Sequence, residues 1–349
     1  MTKKKYTIKD IAKMAGVSKG TVDRVLHKRG KVSDEAHDKV KRVLGEIDYQ
    51  PNPIARNLKR NKVYRICVLM PDWQIDPYWQ PAEQGILEAI NEFSAFGVIV
   101  DQYFYHPYQK ESFTSKSKEI LVSKPDVILM APLFQEESIE ILKECRENKI
   151  RAALFNNYIN TLNGEIFVGQ DLFQSGKVAA GLIDKVVSKD ATILVLHLDK
   201  EDHMELKEKG FLNYFDERDH SNHKILSEAV PTSHQDELKK QVAQLYKSHP
   251  EISAIFITNS KSHKFVSLFS EIANSSKSPV IVGYDLLPEN IDYLNKGQIE
   301  FLIHQKPKRQ AYLGISYFAE YFLFGKEVPS RMLLPIDIIT SENVTYYLE

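Results

Sequence analysis

Polar and aromatic residues recur in this sequence at one kind of place, directly after short apolar runs. "PDWQIDPYW" follows the run "YRICVLM" and contains Asp76, Tyr78 and Trp79. "FNNY" places Asn156 and Asn157, "FVGQD" reaches Asp171, "ITN" ends at Asn259, "VGYD" ends at Asp285, and "FLIHQKP" contains Gln305. Asp, Asn and Gln each exchange several hydrogen bonds with vicinal hydroxyls, and aromatic faces cover the apolar CH face of a sugar ring. The chemistry this predicts is recognition of a hydroxyl-rich ligand. Each residue also has a plainer role open to it. Strand-end Asp and Asn cap helices or satisfy turns, and Tyr78 and Trp79 suit a core.

No catalytic constellation stands beside these residues. The sequence has no G-x-G-x-x-G or Walker loop, no G-x-S-x-G elbow and no H-E-x-x-H. His203, His220, His223 and His234 lie in polar segments without tight ligand spacing. The expectation is therefore no metal, no cofactor and no enzyme.

A different chemistry occupies the N-terminus. In "VSKGTVDRVLHKRG" (residues 17–30), Lys19, Gly20, Asp23, Arg24 and His27 fall on the outer face of a short helical pattern, with Val22, Val25 and Leu26 on its inner stripe. Ser18 can cap this helix. Thr7 can cap the preceding one with Asp10 in capping-box position, and Ile8, Ile11, Ala12 and Ala15 share its buried face. Ser33 can cap a third helix, with Asp34 and Glu35 set favourably in its first turn and a stripe of Ala36, Val40, Val43, Leu44 and Ile47. Two short helices joined by a tight Ala-Gly-Val turn and closed by a third make a helix-turn-helix. Its second helix can read base edges in the major groove while Lys and Arg hold phosphates.

The charge distribution agrees. Residues 1–65 hold 18 Lys and Arg against 7 Asp and Glu, leaving 28 against 40 for the rest of a 349-residue chain whose net charge is only −1. A basic head on an acidic body points to a polyanionic partner for the head alone. A merely solvated basic face is the plainer alternative.

From Tyr64 onward, "YRICVLM", "FGVIVDQYF", "DVILMAP", "RAALFN", "ATILVLHL", "SAIFITN" and "PVIVGYD" alternate with helical stretches at 109–123, 135–148, 233–248 and 261–274. Buried parallel strands alternating with helices predict a doubly wound α/β body, and its length implies two lobes. In such sheets ligands bind at the carboxyl ends of the strands, where the polar residues stand. Cys67 and Cys145 read as reduced. With no signal peptide and no apolar run near the roughly 18 residues a bilayer span needs, the sequence reads as a soluble cytoplasmic protein.

The head resembles that of the LacI/GalR-family transcriptional regulators. "DIAKMAGVS", "TV-RVL" and "Y-PN--AR-L" occur in that family's order and spacing. The resemblance implies three segments: a helix-turn-helix at 1–49, a hinge helix at 50–62 and a two-lobed effector-binding and dimerisation domain at 63–349. It implies that Lys19, Gly20 and Arg24 sit at base-reading positions, with Thr7, Ser18, Thr21, His27, Asn52 and Arg56 also at the DNA. Leu58 would wedge into a minor-groove step. Gly20 can offer no side chain to a base. Asp23 stands where the family usually has Ser, and a carboxylate there opposes a phosphate.

"DPYWQPAEQGILEA", "VGQDLFQSGKVAAGL", "VIVGYD" and "HQKPKRQAYLG" extend the resemblance to the type I periplasmic-binding-protein fold in its ribose-binding-like branch. That implies chain crossings between lobes near 168, 298 and 327. It also implies sugar contacts from Asp76, Tyr78, Trp79, Asn156, Asn157, Asn259, Asp285 and Gln305. Asn156 and Asn157 replace an acidic–basic pair common among sugar-binding relatives, and Lys207 stands where an Arg is common. The last strand is followed by no tetramerising helix, so a homodimer is expected. The partners implied are operator double-stranded DNA and a small sugar-like effector, with no membrane. A purine corepressor, an α/β enzyme acting on a sugar or nucleotide, and a purely architectural DNA-binding protein are the rival readings.

Overall fold

In the computed structural model, which describes residues 6–27, 29–47, 49, 62–159, 165–199, 202–218, 222–232, 235–272 and 278–348, the chain divides into two units, Met1–Arg60 and Asn61–Glu349. The expected hinge helix, with Asn52, Arg56 and Leu58, lies outside the described residues, as do His220 and His234.

The first unit is built by its caps. Thr7 Oγ1 accepts from Asp10 N (3.3 Å) and Asp10 Oδ2 accepts from Thr7 N (2.9 Å), closing a capping box that starts α1 (Ile8–Ala15). Gly16 ends it in the left-handed conformation, φ 65°. Ser18 Oγ accepts from Thr21 N (3.1 Å) at the start of α2 (Lys19–His27), and Ser33 Oγ accepts from Ala36 N (3.4 Å) at the start of α3 (Asp34–Glu46). Ile11, Ala12, Ala15, Val22, Val40 and Val43 form the core. Val25 and Leu26, expected within the buried stripe of α2, are only partly covered. Three helices this short fully enclose just one residue of α2.

The second unit is a pair of α/β lobes. In lobe 1, β1 (Tyr64–Pro71), α4 (Gln80–Phe93), β2 (Val98–Tyr105), α5 (Lys110–Ser123), β3 (Val127–Met130), α6 (Gln135–Glu147), β4 (Arg151–Asn156) and β5 (Ile166–Gly169) follow one another. In lobe 2, α7 (Leu172–Val186), β6 (Thr192–Leu198), α8 (Asp202–Asp216), β7 (Lys224–Val230), α9 (Gln235–Ser248), β8 (Ile252–Ile257), α10 (Ser262–Ile272), β9 (Val280–Tyr284), α11 (Pro288–Asn295) and β10 (Phe301–His304) do the same. The chain then returns to lobe 1 with α12 (Pro307–Phe324) and β11 (Arg331–Leu333), and ends in lobe 2 with β12 (Asp337–Ile339). Strand orders are β11-β5-β4-β3-β1-β2 and β12-β10-β9-β8-β6-β7. All pairings are parallel except β10 with β12. The strands read as continuous apolar runs because helices cover both faces of each sheet. Cys67 and Cys145 are buried and free.

The crossings fall between β5 and α7, between β10 and α12, and between β11 and β12. The first lies where it was expected, near 168. The second and third come later than 298 and 327. Pairing of Phe301 with Val282 and of Ile303 with Tyr284 keeps the chain in the lobe 2 sheet through β10, and β11 still pairs with β5 in lobe 1 before the chain leaves.

Helices α7 and α8 touch backbone to backbone. A Cβ at Gly176 would stand 1.9 Å from Lys207 O, and one at Gly210 1.8 Å from Phe173 O. Neither neighbour can give, because each is main chain. Gly176→Ala should therefore lower the stability of the body by at least about 1–3 kcal/mol, the usual range for overpacking. A urea titration followed by circular dichroism measures it, and an unchanged midpoint would contradict so close an approach.

Candidate functional site

The carboxyl ends of the strands of both lobes face one cleft. Asp76, Tyr78, Trp79, Asn156, Asn157, Lys207, Asn259, Asp285 and Gln305, all expected from the sequence, line it.

Three of its strand ends turn through the left-handed region: Asn156 (φ 68°), Asp199 (φ 85°) and Asp285 (φ 65°). Asn and Asp adopt this conformation more readily than other side-chain-bearing residues, so the sharp turns and the polar groups arrive together. The Asn156 amide nitrogen donates to the Tyr78 hydroxyl, and Asn157 Nδ2 donates to Pro132 O (3.2 Å). Trp79 is nearly all core, 2% exposed, and stands edge-on between Tyr78 and Phe155. So little of it is exposed that the open aromatic face expected of it is mostly enclosed. Asp76 Oδ1 accepts from Tyr78 N (3.2 Å), and burial raises its carboxyl above the usual range against the pull of that bond, Lys261 and Lys264.

Lobe 2 supplies the floor. Asp285 Oδ1 accepts from Gln305 N (3.1 Å) and Oδ2 from Gln305 Nε2 (2.7 Å). Asp285 does not cap α11, whose N-cap is Leu287 without a side-chain bond. A carboxylate has about four acceptor positions, so two remain for another donor. Burial lifts the Asp285 pKa to about 6 against the opposing pull of Lys207 and Gln305. Lys207 is fully buried, with Nζ 2.9 Å from Thr258 O and 3.6 Å from the centre of the Tyr284 ring. Asn259 Nδ2 donates to Leu198 O. Asp171, by contrast, serves the plainer role: its Oδ1 accepts from Gln174 N (3.0 Å) and caps α7.

Tyr108, Ser260 and Lys261 also line the cleft and were not singled out in the sequence, and His203, weighed there only as a metal ligand, lines it too. Tyr108 follows β2, and Ser260 and Lys261 follow Asn259, so extending the strand-end rule by one strand and two residues would have found them. His203 precedes Lys207 by one helical turn. Lys261 pairs with Asp199 and lies 5.5 Å from the Tyr108 ring, a contact between lobes. His203 is held well below its usual pKa by desolvation first, then by Lys207 and Lys261. Among the described residues no His, Cys, Asp and Glu cluster could hold a metal ion.

In the first unit, Ser18, Lys19, Gly20 and Arg24 form an exposed face on α2, while Thr21 and His27 are half-buried beside it. Ser18 Oγ and Thr21 Oγ1 share a hydrogen bond (2.9 Å), and the Thr7 hydroxyl is held by Asp10 (2.6 Å). His27 Nε2 lies 3.7 Å from Asp23 Oδ1, so the unusual carboxylate has a cationic partner whenever His27 is protonated. Gly20 is not required by packing. A Cβ there would meet only ordinary contacts, Ser18 Oγ at 3.7 Å and Arg24 Nη2 at 3.8 Å.

Residues 66–327 match the protein family described as "Periplasmic binding protein domain", and residues 7–52 match "Bacterial regulatory proteins, lacI family". The NTD biosynthesis operon regulator NtdR of Bacillus subtilis is 41% identical over 100 residues, 28% of this chain and 30% of that protein. A ribose operon repressor of Halalkalibacterium halodurans is 25% identical over 260 residues, 72% of this chain and 71% of that protein. The chain spans between 30% and 49% of the length of three other-than-full-length matches among its curated relatives. A solved structure from Bacteroides fragilis, assigned to the LacI transcriptional regulators, superimposes with a TM-score of 0.75 at 26% identity, covering 82% of this chain and 100% of that one. The glucose-galactose binding protein GanP of Geobacillus stearothermophilus shares the fold, with a TM-score of 0.71 at 21% identity over 81% of this chain and 99% of that one.

The raised pKa of Asp285 carries a sign for stability. The folded body holds this proton up to about pH 6, whereas an unfolded carboxyl releases it near 3.8. Its contribution is fully present below 3.8, falls by roughly 1.4 kcal/mol per pH unit between the two values, and is lost above about 6. Unfolding curves of the wild type and Asp285→Asn at pH 4.5, 5.5 and 7 should therefore diverge by this slope. Parallel curves would place the carboxyl in a far more solvated setting.

Proposed function

We propose a function from one premise: the chain belongs to the LacI family of bacterial regulatory proteins, with a periplasmic-binding-protein domain as its body. The function is sequence-specific DNA binding by a homodimer, acting as a repressor that a sugar-like effector releases. The observation that carries this reading is the origin of the cleft groups. Asp76 and Asn156 come from lobe 1, and Asp285 and Gln305 from lobe 2, so a ligand that satisfies all four must hold the lobes at one angle. A ligand changes an equilibrium only through such differential contacts, and couplings of this kind are typically about 1–3 kcal/mol.

The polar groups favour a neutral polyol. Two carboxylates seek donors, which vicinal hydroxyls supply in pairs and a purine offers sparingly. Trp79 is almost wholly covered, which leaves it little face for stacking a base. The cations are already engaged, Lys207 with Thr258 O and Lys261 with Asp199, which argues against a phosphorylated sugar. The similarity to a ribose operon repressor over most of this chain points the same way. No described helix is long and apolar enough to cross a membrane, in keeping with action on DNA in the cytoplasm.

Two substitutions test the reading at its two ends. Arg24→Ala should cost on the order of 1–3 kcal/mol per half-site against operator DNA, as expected for a lost bidentate contact to guanine, while binding to random DNA persists. Affinities at one salt concentration measure this, and an unchanged operator-to-random ratio would reduce Arg24 to a phosphate contact. Asp285→Ala should weaken effector binding at least about tenfold, since each charge-assisted bond contributes roughly 1.5–3 kcal/mol, and should leave effector-free operator binding intact. Calorimetry against sugars found by a thermal-shift screen reads the first, and fluorescence anisotropy with operator DNA the second. An Asp285→Ala protein that binds the sugar as the wild type does removes Asp285 from the site.

A further inference from the structure

The cleft does not end at Asn157 and His203. Beyond them a second hollow of about 570 Å³ opens between the lobes, and Leu133, Asn157 and His203 line both spaces. Tyr158 and Arg331 form its lobe 1 wall, with the Arg331 guanidinium 5.5 Å from the Tyr158 ring. Phe173 and Leu206 on lobe 2 face it as large apolar side chains left 38% and 36% exposed. At the hinge end stands Gln170, 2% exposed. Its Nε2 is spent on His304 O (2.8 Å) and Pro335 O (2.9 Å), while its Oε1 has no hydrogen-bond partner among the described residues. That oxygen is itself enclosed, so Gln170 bounds the hollow rather than meeting what enters it.

We propose that this hollow is a second subsite and that the effector is a two-ring glycoside. Its first ring lies on Asp285, and a neutral, hydroxyl-bearing second ring reaches past Asn157 and His203 into the hollow between Tyr158 and Phe173. This rests on the sugar reading above and adds the size of the ligand to it. The lining selects the chemistry. The Tyr158 and Phe173 rings suit the CH face of a pyranose, and Gln135 and Glu205 also line the hollow as polar partners for its hydroxyls. Lys209 and Arg331 are offset by Glu205 and Asp171, which leaves no surplus charge for a phosphate.

Calorimetry on the full chain tests this with D-ribose, D-glucose and D-galactose against maltose, trehalose, lactose and sucrose. At least one disaccharide should bind about tenfold or more tightly than any of the monosaccharides. Leu206→Trp, which fills the hollow without lining the first cleft, should lose that advantage and keep monosaccharide affinity within about twofold. Phe173→Ala, which removes an aromatic wall, should weaken the disaccharide alone, and it replaces Leu206→Trp if that variant melts early. A monosaccharide that binds as tightly as every disaccharide overturns the second subsite and leaves the sugar reading standing. So does a disaccharide affinity unmoved by both variants. Failure of both classes to bind overturns the sugar reading and the subsite together.

Discussion

The amide of Gln170 ties the two lobes of the body together. It sits where the chain first crosses and donates to the carbonyls of His304 and Pro335, which sit at the second and third crossings. Three connections distant in sequence thus meet at one buried side chain. Their convergence sets the strand ends of lobe 1 opposite those of lobe 2. The next residue after His304 is Gln305, which binds the Asp285 carboxylate through both its backbone and its side chain. Gln310, one turn into α12, donates back to Gln305 O (2.6 Å). The hinge and the floor of the cleft are therefore one hydrogen-bonded assembly.

That assembly is held against local preference. Asn156, Asp199 and Asp285 occupy positive φ, and Asp285 and Lys207 place opposite charges in a nearly dry interior. Such features are destabilising taken alone. The close contact of α7 with α8 through Gly176 and Gly210 offsets them by fixing the helix that carries Lys207. Asp199 shows the balance on a small scale: burial pushes its pKa up, and the bonds from Lys261 and Thr232 more than reverse it.

Much of this was legible in the sequence because its signals are local. Thr7, Ser18 and Ser33 each cap the helix that their spacing announces, and the apolar runs become strands within a residue or two of their ends. The strand-end rule brought eight cleft residues together, since the carboxyl edge of a parallel sheet is a shared place. What was not legible depends on long-range packing. Nothing near Asp285 decides between capping α11 and facing the cleft; Gln305, twenty positions on, decides it by donating two hydrogen bonds. Trp79 has the composition of a ligand platform, but Phe155 and Tyr78 enclose it. The second and third crossings were misplaced because turns mark where an element stops, whereas a crossing depends on which sheet the next strand joins.

A joint fastened at one point by three strands has few ways to move. Twisting or sliding one lobe on the other would break bonds at Gln170, whereas swinging about it need not. The body is in this sense a one-dimensional device. Rising ligand concentration would then alter the fraction of molecules that are shut rather than how far each one shuts. A cell reading such a protein would receive its graded signal by counting, as a proportion of molecules in two forms.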